Sequence, residues 1–382
     1  MKRFLKCFFS IVLVLVVFAG GGFALAKYNT NSMAHHYYEK LVGATEKATG
    51  ATDTVKTIYQ VPVAGKNDSA AKKVDSAMKA NRISGSVIIV RNGQVTYSST
   101  RGQSKYPDGA KNTRSTKYQI GSAQDFMTAA SVMYLKQVGK LKLSDKLSQY
   151  YPQISQSGKV TIRQLLNMTS GLSNTATAPE TQSFSKLLQW NVKHVDNTAI
   201  TGTYSYQAVN YVLLAGIIQK VSGQSYKEFV QTHLISKLHL KNSGFALNDA
   251  KRSLLANPYA DDYSGDKNYV TGMERQQNTK FGPYQLYMSD QDLMTTYLYI
   301  FNGKFINKGN LNSLIVHSKS TFAGGVYRDK ISFSVHGQLG GYQNSIKFSR
   351  DFKNGVVLLS NYVPKGITPT QTSSIIYNAV FN

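Results

Sequence analysis

The sequence predicts a mixed α/β (α+β) fold in which helices flank one antiparallel sheet built from both ends of the chain. Near the start, two β-rich runs within residues 85–97 flank Asn92-Gly93, a pattern typical of a β-hairpin. Near the end, residues 331–336, 343–349 and 355–361 alternate or run apolar, as strands do. Between these ends, apolar residues recur at helical spacing, which predicts a helical lobe.

The predicted helices share a polar start, an apolar period and, in several cases, a glycine stop. They cover residues 73–81, 126–138, 161–171, 204–223, 225–240, 289–302 and 368–381. Residues 126–138 are apolar on almost every side, which predicts a helix buried inside the domain and ended by Gly139. Thr161 is expected to cap the following helix and Gly171 to end it.

The N-terminal segment has the pattern of an export signal. Lys2, Arg3 and Lys6 precede a charge-free apolar run that continues to Ala26. Residues 1–26 are therefore either a cleaved signal peptide or a retained membrane anchor, since about 20 apolar residues also suffice to span a bilayer. Residues 27–70 are polar and predict a tether. The globular domain is expected at 71–382, with its sheet at 71–120 and 325–382 and its helical lobe at 121–324.

The charge balance indicates an anionic partner. Lysine and arginine outnumber aspartate and glutamate by 44 to 20, and the excess of +24 is scattered along the chain. Because the N-terminus predicts an extracytoplasmic protein, either membrane-anchored or secreted, nucleic acid is excluded as a partner. The remaining candidate partners are peptidoglycan, an anionic wall polymer and, at the N-terminal segment, the membrane. The only cysteine, Cys7, lies in that segment, and the sequence predicts no metal site and no cofactor.

Ser122 lies where a small polar turn runs into the buried helix, and two interpretations fit it. As a cap, Ser122 would bond forward while Asp125 bonds back, the arrangement of a capping box. As a nucleophile, its hydroxyl would lie beside unpaired backbone N–H groups and the positive end of the helix dipole, which stabilise an oxyanion. The residues around Ser122 leave both interpretations open, although caps are commoner than nucleophiles.

Several segments follow the hairpin in a fixed order. They are Ile120-Gly121-Ser122, residues 139–143 and 161–172, Tyr204-Ser205-Tyr206 with residues 210–214, and Gly341-Tyr342 with residues 358–361. In this order they resemble the serine β-lactamase and penicillin-binding-protein superfamily, most of all class C-like β-lactamase-related hydrolases and D-Ala-D-Ala peptidases. The resemblance runs from about residue 73 to the C-terminus. It implies a β-lactamase/transpeptidase-like fold and an acyl-serine mechanism.

The resemblance assigns the nucleophile to Ser122 and reveals a reversal of charge. The family motif Ser-x-x-Lys places a lysine one helical turn after the serine, and this chain has Asp125 there. A lysine favours the serine alkoxide, whereas a carboxylate raises the pKa of the serine hydroxyl. An aspartate could take the proton itself, but its ordinary pKa of about 4 makes it a weak base unless burial raises that pKa.

The second family motif, Tyr-x-Asn, here reads Tyr206-Gln207-Ala208. The resemblance makes Tyr206 a proton carrier, while a tyrosine at this position is equally typical of core packing. The asparagine that would hold a substrate amide is replaced by Ala208. A carboxamide at this place would have to come from Gln207 or Asn210 turning inward.

The third motif, Lys-(Ser/Thr)-Gly or His-x-Gly, aligns with Val335-His336-Gly337, which displaces the cationic residue by one position. A neighbour along a strand faces the opposite side, so His336 either faces away from the cleft or reaches it through a bulge or a slip in register. The family forms its oxyanion hole from two backbone N–H groups, which correspond to those of Ser122 and Gln338. Backbone groups survive side-chain replacement.

Two functions follow from the resemblance and its departures. The chain is either an acyl-serine hydrolase that uses Ser122 on peptidoglycan or teichoic acid, or a degenerate member that keeps the fold and binds a wall polymer or a partner protein. Loss of the lysine and the asparagine favours the binding function, because general-base catalysis and substrate positioning each contribute several powers of ten in rate.

Overall fold

The computed structural model describes residues 69–106, 109–174, 176, 178–179, 183–246, 254–261, 267–270, 285–316, 320–363, 365–366 and 368–382. The described residues all belong to one compact unit, Val61–Asn382. The predicted signal segment 1–26 and almost all of the predicted tether lie outside the described residues. No helix of the described ranges is both long and apolar enough to span a membrane.

Each of the seven predicted helices has a counterpart, and two helices within the described residues, Phe184–His194 and Lys308–Val316, were not predicted. In chain order the helices are α1 (Ser69–Ala80), α2 (Gln124–Gln137), α3 (Ile162–Leu166), α4 (Phe184–His194), α5 (Val209–Ser222), α6 (Tyr226–Val230), α7 (Asp290–Phe301), α8 (Lys308–Val316) and α9 (Pro369–Phe381). Thr161 caps α3 in a capping box with Gln164, as predicted for the cap, but α3 ends five residues before Gly171. A π-helical turn, Gln231–Ser236, continues α6.

The strands are short outside one large sheet. They are β1 (Gly85–Arg91), β2 (Gln94–Arg101), β3 (Tyr118–Gln119), β4 (Leu172–Asn174), β5 (Val195–Asn197), β6 (Gly244–Phe245), β7 (Tyr259–Asp261), β8 (Lys267–Tyr269), β9 (Leu286–Met288), β10 (Phe322–Ala323), β11 (Val326–Arg328), β12 (Ser332–Leu339), β13 (Tyr342–Ser349), β14 (Gly355–Ser360) and β15 (Tyr362–Val363).

The large sheet joins the two ends of the domain, as the sequence predicts. Its seven strands run in the order β10-β11-β12-β13-β14-β1-β2, and every neighbouring pair is antiparallel. The junction is the pairing of β14 with β1, in which Ser360 lies opposite Gly85 and Val357 opposite Ile88. Asn92 and Gly93 both have positive φ and form the turn between β1 and β2.

One face of the sheet packs against the terminal helices. Val74 and Met78 of α1 and Ile376 of α9 form a buried cluster with Val87 of β1 and Leu358 of β14. The contacts of α7 with β1 and β14 cover the other face. The apolar run predicted to be a buried helix is α2, whose residues Phe126 to Met133 are all buried. These layers fix the N-terminus of α2 beside the β12 and β13 strands, where the candidate site lies.

Candidate active site

The turn that carries Ser122 is held from several sides. Strand β3 pairs with β9, and the N–H of Ile120 donates to the carbonyl of Leu286 at 3.1 Å. Ser122 then lies in a 3-10 turn, Gly121–Ala123, which leads directly into α2. The hydroxyl of Tyr297 donates to the carbonyl of Ala123 at 2.9 Å. The N-cap of α2 is Ala123 and has no side-chain hydrogen bond, so the capping-box interpretation of Ser122 and Asp125 is wrong.

Two glycines allow this turn to approach strand β12. A Cβ atom on Gly337 would lie 2.1 Å from the carbonyl oxygen of Ile120, and one on Gly121 would lie 3.0 Å from the backbone nitrogen of Gln338. Gly121 also has a φ of 49°, a conformation that favours glycine. The side-chain amide of Asn344 donates to the same Ile120 carbonyl at 2.7 Å. The backbone of Gln338 therefore lies beside the serine turn.

A cavity of about 500 Å³ opens at this contact. Its wall consists of Ser122, Tyr206, Tyr327, His336, Gly337, Gln338, Gln343, Asn344, Thr368, Pro369 and Thr370. Five of the seven predicted site residues are among them: Ser122, Tyr206, His336, Gly337 and Gln338. Asp125 lies behind the wall, and Gln207 lies elsewhere. None of the described wall residues is a lysine, an arginine, an aspartate or a glutamate.

Asp125 is sealed inside the domain one helical turn after Ser122, with only 2% of its surface exposed. Its Oδ2 accepts a hydrogen bond of 2.9 Å from the hydroxyl of Tyr206. Its Oδ1 has no hydrogen-bond partner within the part of the chain that the structure describes. Burial raises the pKa of Asp125 to about 8, although the hydrogen bond from Tyr206 opposes the shift. The carboxyl group is therefore mostly protonated at neutral pH.

The negative charge of Asp125 acts on four further tyrosines. Burial raises the pKa values of Tyr211, Tyr226, Tyr297 and Tyr327, and the negative charge of Asp125 raises them further. The hydroxyls of Tyr211 and Tyr297 donate to the backbone carbonyls of Leu166 and Ala123, not to Asp125. All four remain neutral phenols at physiological pH and supply no countercharge for Asp125.

His336 is part of the cavity wall, and β12 pairs with β13 in unbroken register, so the bulge or slip that could have turned this side chain does not occur. Its Nδ1 lies 3.0 Å from Oγ1 of Thr370 and 3.3 Å from Oγ of Ser345. Its ring stacks on Tyr327 with a centroid distance of 5.5 Å. Burial, and then the nearby charge of Lys347, lower the pKa of His336 to about 4. The imidazole is therefore neutral at pH 7 and does not replace the cation of the third motif.

Gln207 does not supply the missing carboxamide, contrary to the expectation that it contacts the substrate. Its side-chain amide donates to Oγ of Ser205 at 3.4 Å, and its backbone N–H points to Sδ of Met168. Asn210, the other candidate, is buried and donates to the carbonyl of Gln207 at 2.9 Å. The amides on the cavity wall belong to residues 338, 343 and 344 instead. The polar pair Gln343-Asn344, directly after Gly341-Tyr342, was the sequence signal that would have identified two of them.

The family model described as "Beta-lactamase" matches residues 70–366. The chain belongs to the β-lactamase family. Within this family it is similar to the putative penicillin-binding protein PbpX of Bacillus subtilis, at 27% identity over 76% of this chain and 73% of the relative. It is also 27% identical to the teichoic acid D-alanine hydrolase of Staphylococcus aureus, over 59% of this chain.

The match to the hydrolase spans 56% of that relative's length. Among solved structures, the fold is similar to FmtA from Staphylococcus aureus, with a TM-score of 0.74, 24% identity and coverage of 83% of this chain and 88% of that one. A class C β-lactamase has a TM-score of 0.64 at 19% identity, covering 83% of this chain and 98% of that one. These likenesses establish the predicted β-lactamase-like fold.

Compared with the motifs of the β-lactamase family, the cavity keeps its serine, its tyrosine and the backbone beside them, but not its positive charges. The lysine of Ser-x-x-Lys is replaced by Asp125, and the third motif contains a neutral His336. Within the described ranges, no group of three or more His, Cys, Asp or Glu side chains is arranged to hold a metal ion. The site can donate and accept hydrogen bonds through uncharged groups.

Proposed function

We propose that the chain is a cell-surface member of the β-lactamase family that binds a cell-wall polymer without cleaving it. The observation that carries the proposal is the hydrogen bonding of Asp125. A serine becomes a nucleophile when an adjacent group accepts its proton. The Oδ2 of Asp125 is bonded to Tyr206, and its Oδ1 has no partner within the described residues, so neither oxygen is bonded to Ser122.

The tyrosine does not replace the missing base. The Tyr206 hydroxyl donates its hydrogen bond to Asp125, whereas a phenol that activates Ser122 must accept a proton from it. A positioned general base typically contributes about 10²- to 10⁴-fold in rate. We therefore expect acyl transfer by Ser122 to be slower than in relatives that keep the lysine by at least this factor.

The ligand class is supported by two further observations. The relatives include a protein named for hydrolysis of D-alanine from teichoic acid. The chain carries a net charge of +24, which attracts a polyanion. The cavity wall itself is uncharged in its described residues and rich in amides and hydroxyls. In this proposal the positive surface attracts the polymer, and the cavity accepts one uncharged or cationic group along it.

The test is labelling of the purified protein with a fluorescent penicillin and with a fluorophosphonate, beside a binding assay on isolated cell walls. We expect no covalent label above that of Ser122→Ala, together with saturable binding to the walls. Label that depends on Ser122 would refute the non-hydrolytic function. Absence of both label and wall binding would refute the ligand class.

A second candidate, an acyl-serine hydrolase, is favoured by one observation. The pKa of Asp125, raised by burial to about 8, suits a base at neutral pH, and Tyr206 connects this residue to the cavity. Proton transfer would then pass from Ser122 through Tyr206 to Asp125. The labelling assay distinguishes the candidates, because this relay predicts label that is lost in Asp125→Asn. In the non-hydrolytic function, Asp125→Lys restores label if the charge is the only missing element.

A further inference from the structure

A second cavity, of about 460 Å³, lies on the helical lobe and shares no described wall residue with the cavity beside Ser122. Its wall is formed by the loop that begins at Tyr151, by α4 and by the last turn of α5. The charged side chains of its described wall are Lys193 of α4 and Lys220 of α5, and this wall contains no aspartate or glutamate. Two ammonium groups from neighbouring helices therefore border one depression without a described acid beside them.

The two lysines are held to different degrees. The Nζ of Lys220 donates to the carbonyl of Tyr150 at 2.7 Å and lies 4.6 Å from the centroid of the Tyr151 ring. This bond and the cation–π contact fix the ammonium, which still has N–H donors left for a ligand. Lys193 is exposed and forms no hydrogen bond or ion pair within the described residues. One cation is thus preorganised, and the other can move onto a ligand.

The floor of this cavity is apolar and tightly packed. It consists of Tyr151, Leu188 and Val192, all of which are buried. A Cβ atom on Gly216 of α5 would lie 2.2 Å from the hydroxyl oxygen of Tyr151 and 2.6 Å from Cδ2 of Leu188, so only a glycine lets both side chains pack directly onto this helix. The Tyr151 hydroxyl also donates to the carbonyl of Leu213 at 3.3 Å. The depression is therefore formed by the fold before a ligand arrives.

The rim of this cavity is polar and uncharged apart from the lysines. Gln153, Ser185 and Gln189 are exposed there, and their side chains can both donate and accept hydrogen bonds. A polyol phosphate matches all three parts of the wall, because lysines bind phosphate, the rim can bind hydroxyls and the apolar floor can hold the carbon chain. A bilayer surface matches less well, since none of the exposed large apolar side chains belongs to the described wall.

We propose that this cavity of the helical lobe binds a phosphodiester of a polyol-phosphate polymer, with Lys193 and Lys220 as the ligands of the phosphate. The inference rests on the proposed wall-binding function and adds a second site to it, separate from the cavity beside Ser122. In this arrangement the excess positive charge of the chain acts at a defined place. The polymer is held at the helical lobe whether or not one of its groups enters the cavity beside Ser122.

The test measures binding of a synthetic glycerol phosphate oligomer without aminoacyl esters, by calorimetry at low salt. The double variant Lys193→Gln, Lys220→Gln should bind the oligomer at least about tenfold more weakly than the parent, because charge-assisted hydrogen bonds to the phosphate are lost. Lys193→Gln alone should also weaken binding. Its unfolding midpoint in urea should equal that of the parent, since this side chain forms no hydrogen bond or ion pair within the described residues.

The matched control is the double variant Lys140→Gln, Lys227→Gln. It removes the same charge from two exposed lysines outside the described wall, so it should keep the affinity of the parent within about twofold. A glutamate oligomer of similar charge is the control for the ligand. The parent should bind it more weakly than the glycerol phosphate oligomer, because it lacks the phosphates and hydroxyls that the lysines and the rim can bind.

No measurable binding of the glycerol phosphate oligomer, equal losses in the two double variants, or equal affinity for the two oligomers would each overturn the inference. Vesicles of phosphatidylglycerol test the lipid alternative, and the two double variants should bind them equally. A loss of vesicle binding confined to the Lys193 and Lys220 variant would assign the site to lipid headgroups and overturn the inference as well.

The proposed function is tested separately by binding to whole walls and by the absence of Ser122 labelling. A parent protein that binds walls but not the oligomer would leave that function standing and remove the second site. Label that depends on Ser122, together with the expected losses of oligomer binding, would refute the non-hydrolytic function and keep the second site.

Discussion

At position 125 the substitution of an acid for a lysine changes more than one side chain. Neither carboxyl oxygen of Asp125 is bonded to Ser122, since Oδ2 accepts from Tyr206 and Oδ1 has no partner within the described residues. Because of that bond to Oδ2, the Tyr206 hydroxyl donates its hydrogen bond to a buried group inside the domain. Replacing the lysine with Asp125 therefore also changes the hydrogen bonding of Tyr206. The first and second motifs lose their usual chemistry together.

Replacing Asp125 with asparagine should stabilise the protein increasingly as the pH rises. The pKa of Asp125 is raised from 3.8 to about 8 in the folded state. Below pH of about 4 the carboxyl is protonated in both states, and between about 4 and 8 the folded state loses about 1.4 kcal/mol per pH unit relative to the unfolded one. Asparagine does not titrate and still accepts from Tyr206.

Urea denaturation at pH 5 and pH 8 measures this effect. The advantage of Asp125→Asn over the parent in free energy of unfolding should be several kcal/mol larger at pH 8 than at pH 5. The same advantage at both pH values would mean that Asp125 is not ionisable in this range, and it would contradict the assignment of the raised pKa to this residue.

The location of the site could be predicted from the sequence, whereas the bonding within it could not. Ser122, Tyr206 and Gly337 lie in ordered motifs, so their convergence follows from the family resemblance. The partner of Asp125 was not predictable, because the Tyr206 bond joins positions 81 residues apart and depends on how α2 packs. The local spacing of Ser122 and Asp125 instead indicated a cap, an interaction that tertiary contacts replaced.

At the scale of elements, the serine turn and strand β12 approach each other closely because the residues at their contact, Gly121 and Gly337, have no side chain. The carbonyl of Ile120 lies against Gly337 and accepts from Asn344 of β13. The sequence predicted β12 and β13 well, since their alternation is strong. It did not identify Thr368 and Thr370 of the α9 N-terminus as part of the cavity wall, because nothing local links a helix cap to a distant strand.

Replacing Gly337 with alanine should push the serine turn away from β12. The new Cβ would lie 2.1 Å from the Ile120 carbonyl oxygen and 2.6 Å from Nδ2 of Asn344. Overpacking of this kind typically costs about 1–3 kcal/mol. We expect a loss of this size in the free energy of unfolding, measured by urea denaturation.

Gly158→Ala is the control for this prediction. The atom nearest to its new Cβ would be Oγ of Ser148 at 3.9 Å, so the substitution has room. It should change the free energy of unfolding by no more than about 0.5 kcal/mol. If Gly337→Ala were as mild as Gly158→Ala, the close contact between β12 and the serine turn would be wrong.

At the scale of the molecule, charge and cavity have separate roles. The net charge of +24 is distributed over the chain, while the described cavity wall is uncharged. Long-range attraction of an anionic polymer should therefore be screened by salt, since the Debye length falls from about 30 Å at 0.01 M to about 3 Å at 1 M salt. Contacts within the cavity should respond less.

Binding to teichoic-acid-containing walls should weaken by at least about tenfold between 50 and 500 mM salt. Pull-down with isolated walls measures it, and walls stripped of teichoic acid serve as the control, for which we expect weak binding at both salt concentrations. Affinity that does not change with salt, or equal binding to stripped walls, would show that the positive charge is not used for wall recognition.

The pairing of Gly85 with Ser360 also determines when the domain can form. During synthesis, β1 and β2 leave the ribosome together, but β14, the other neighbour of β1, emerges only after residues 102–354 have been made. Until then the early hairpin exposes an open, apolar edge that is prone to pairing with other chains. Nascent chains and fragments that lack β14 should therefore depend on chaperones, and the β-lactamase-like domain becomes self-sufficient only once nearly all of its chain is available.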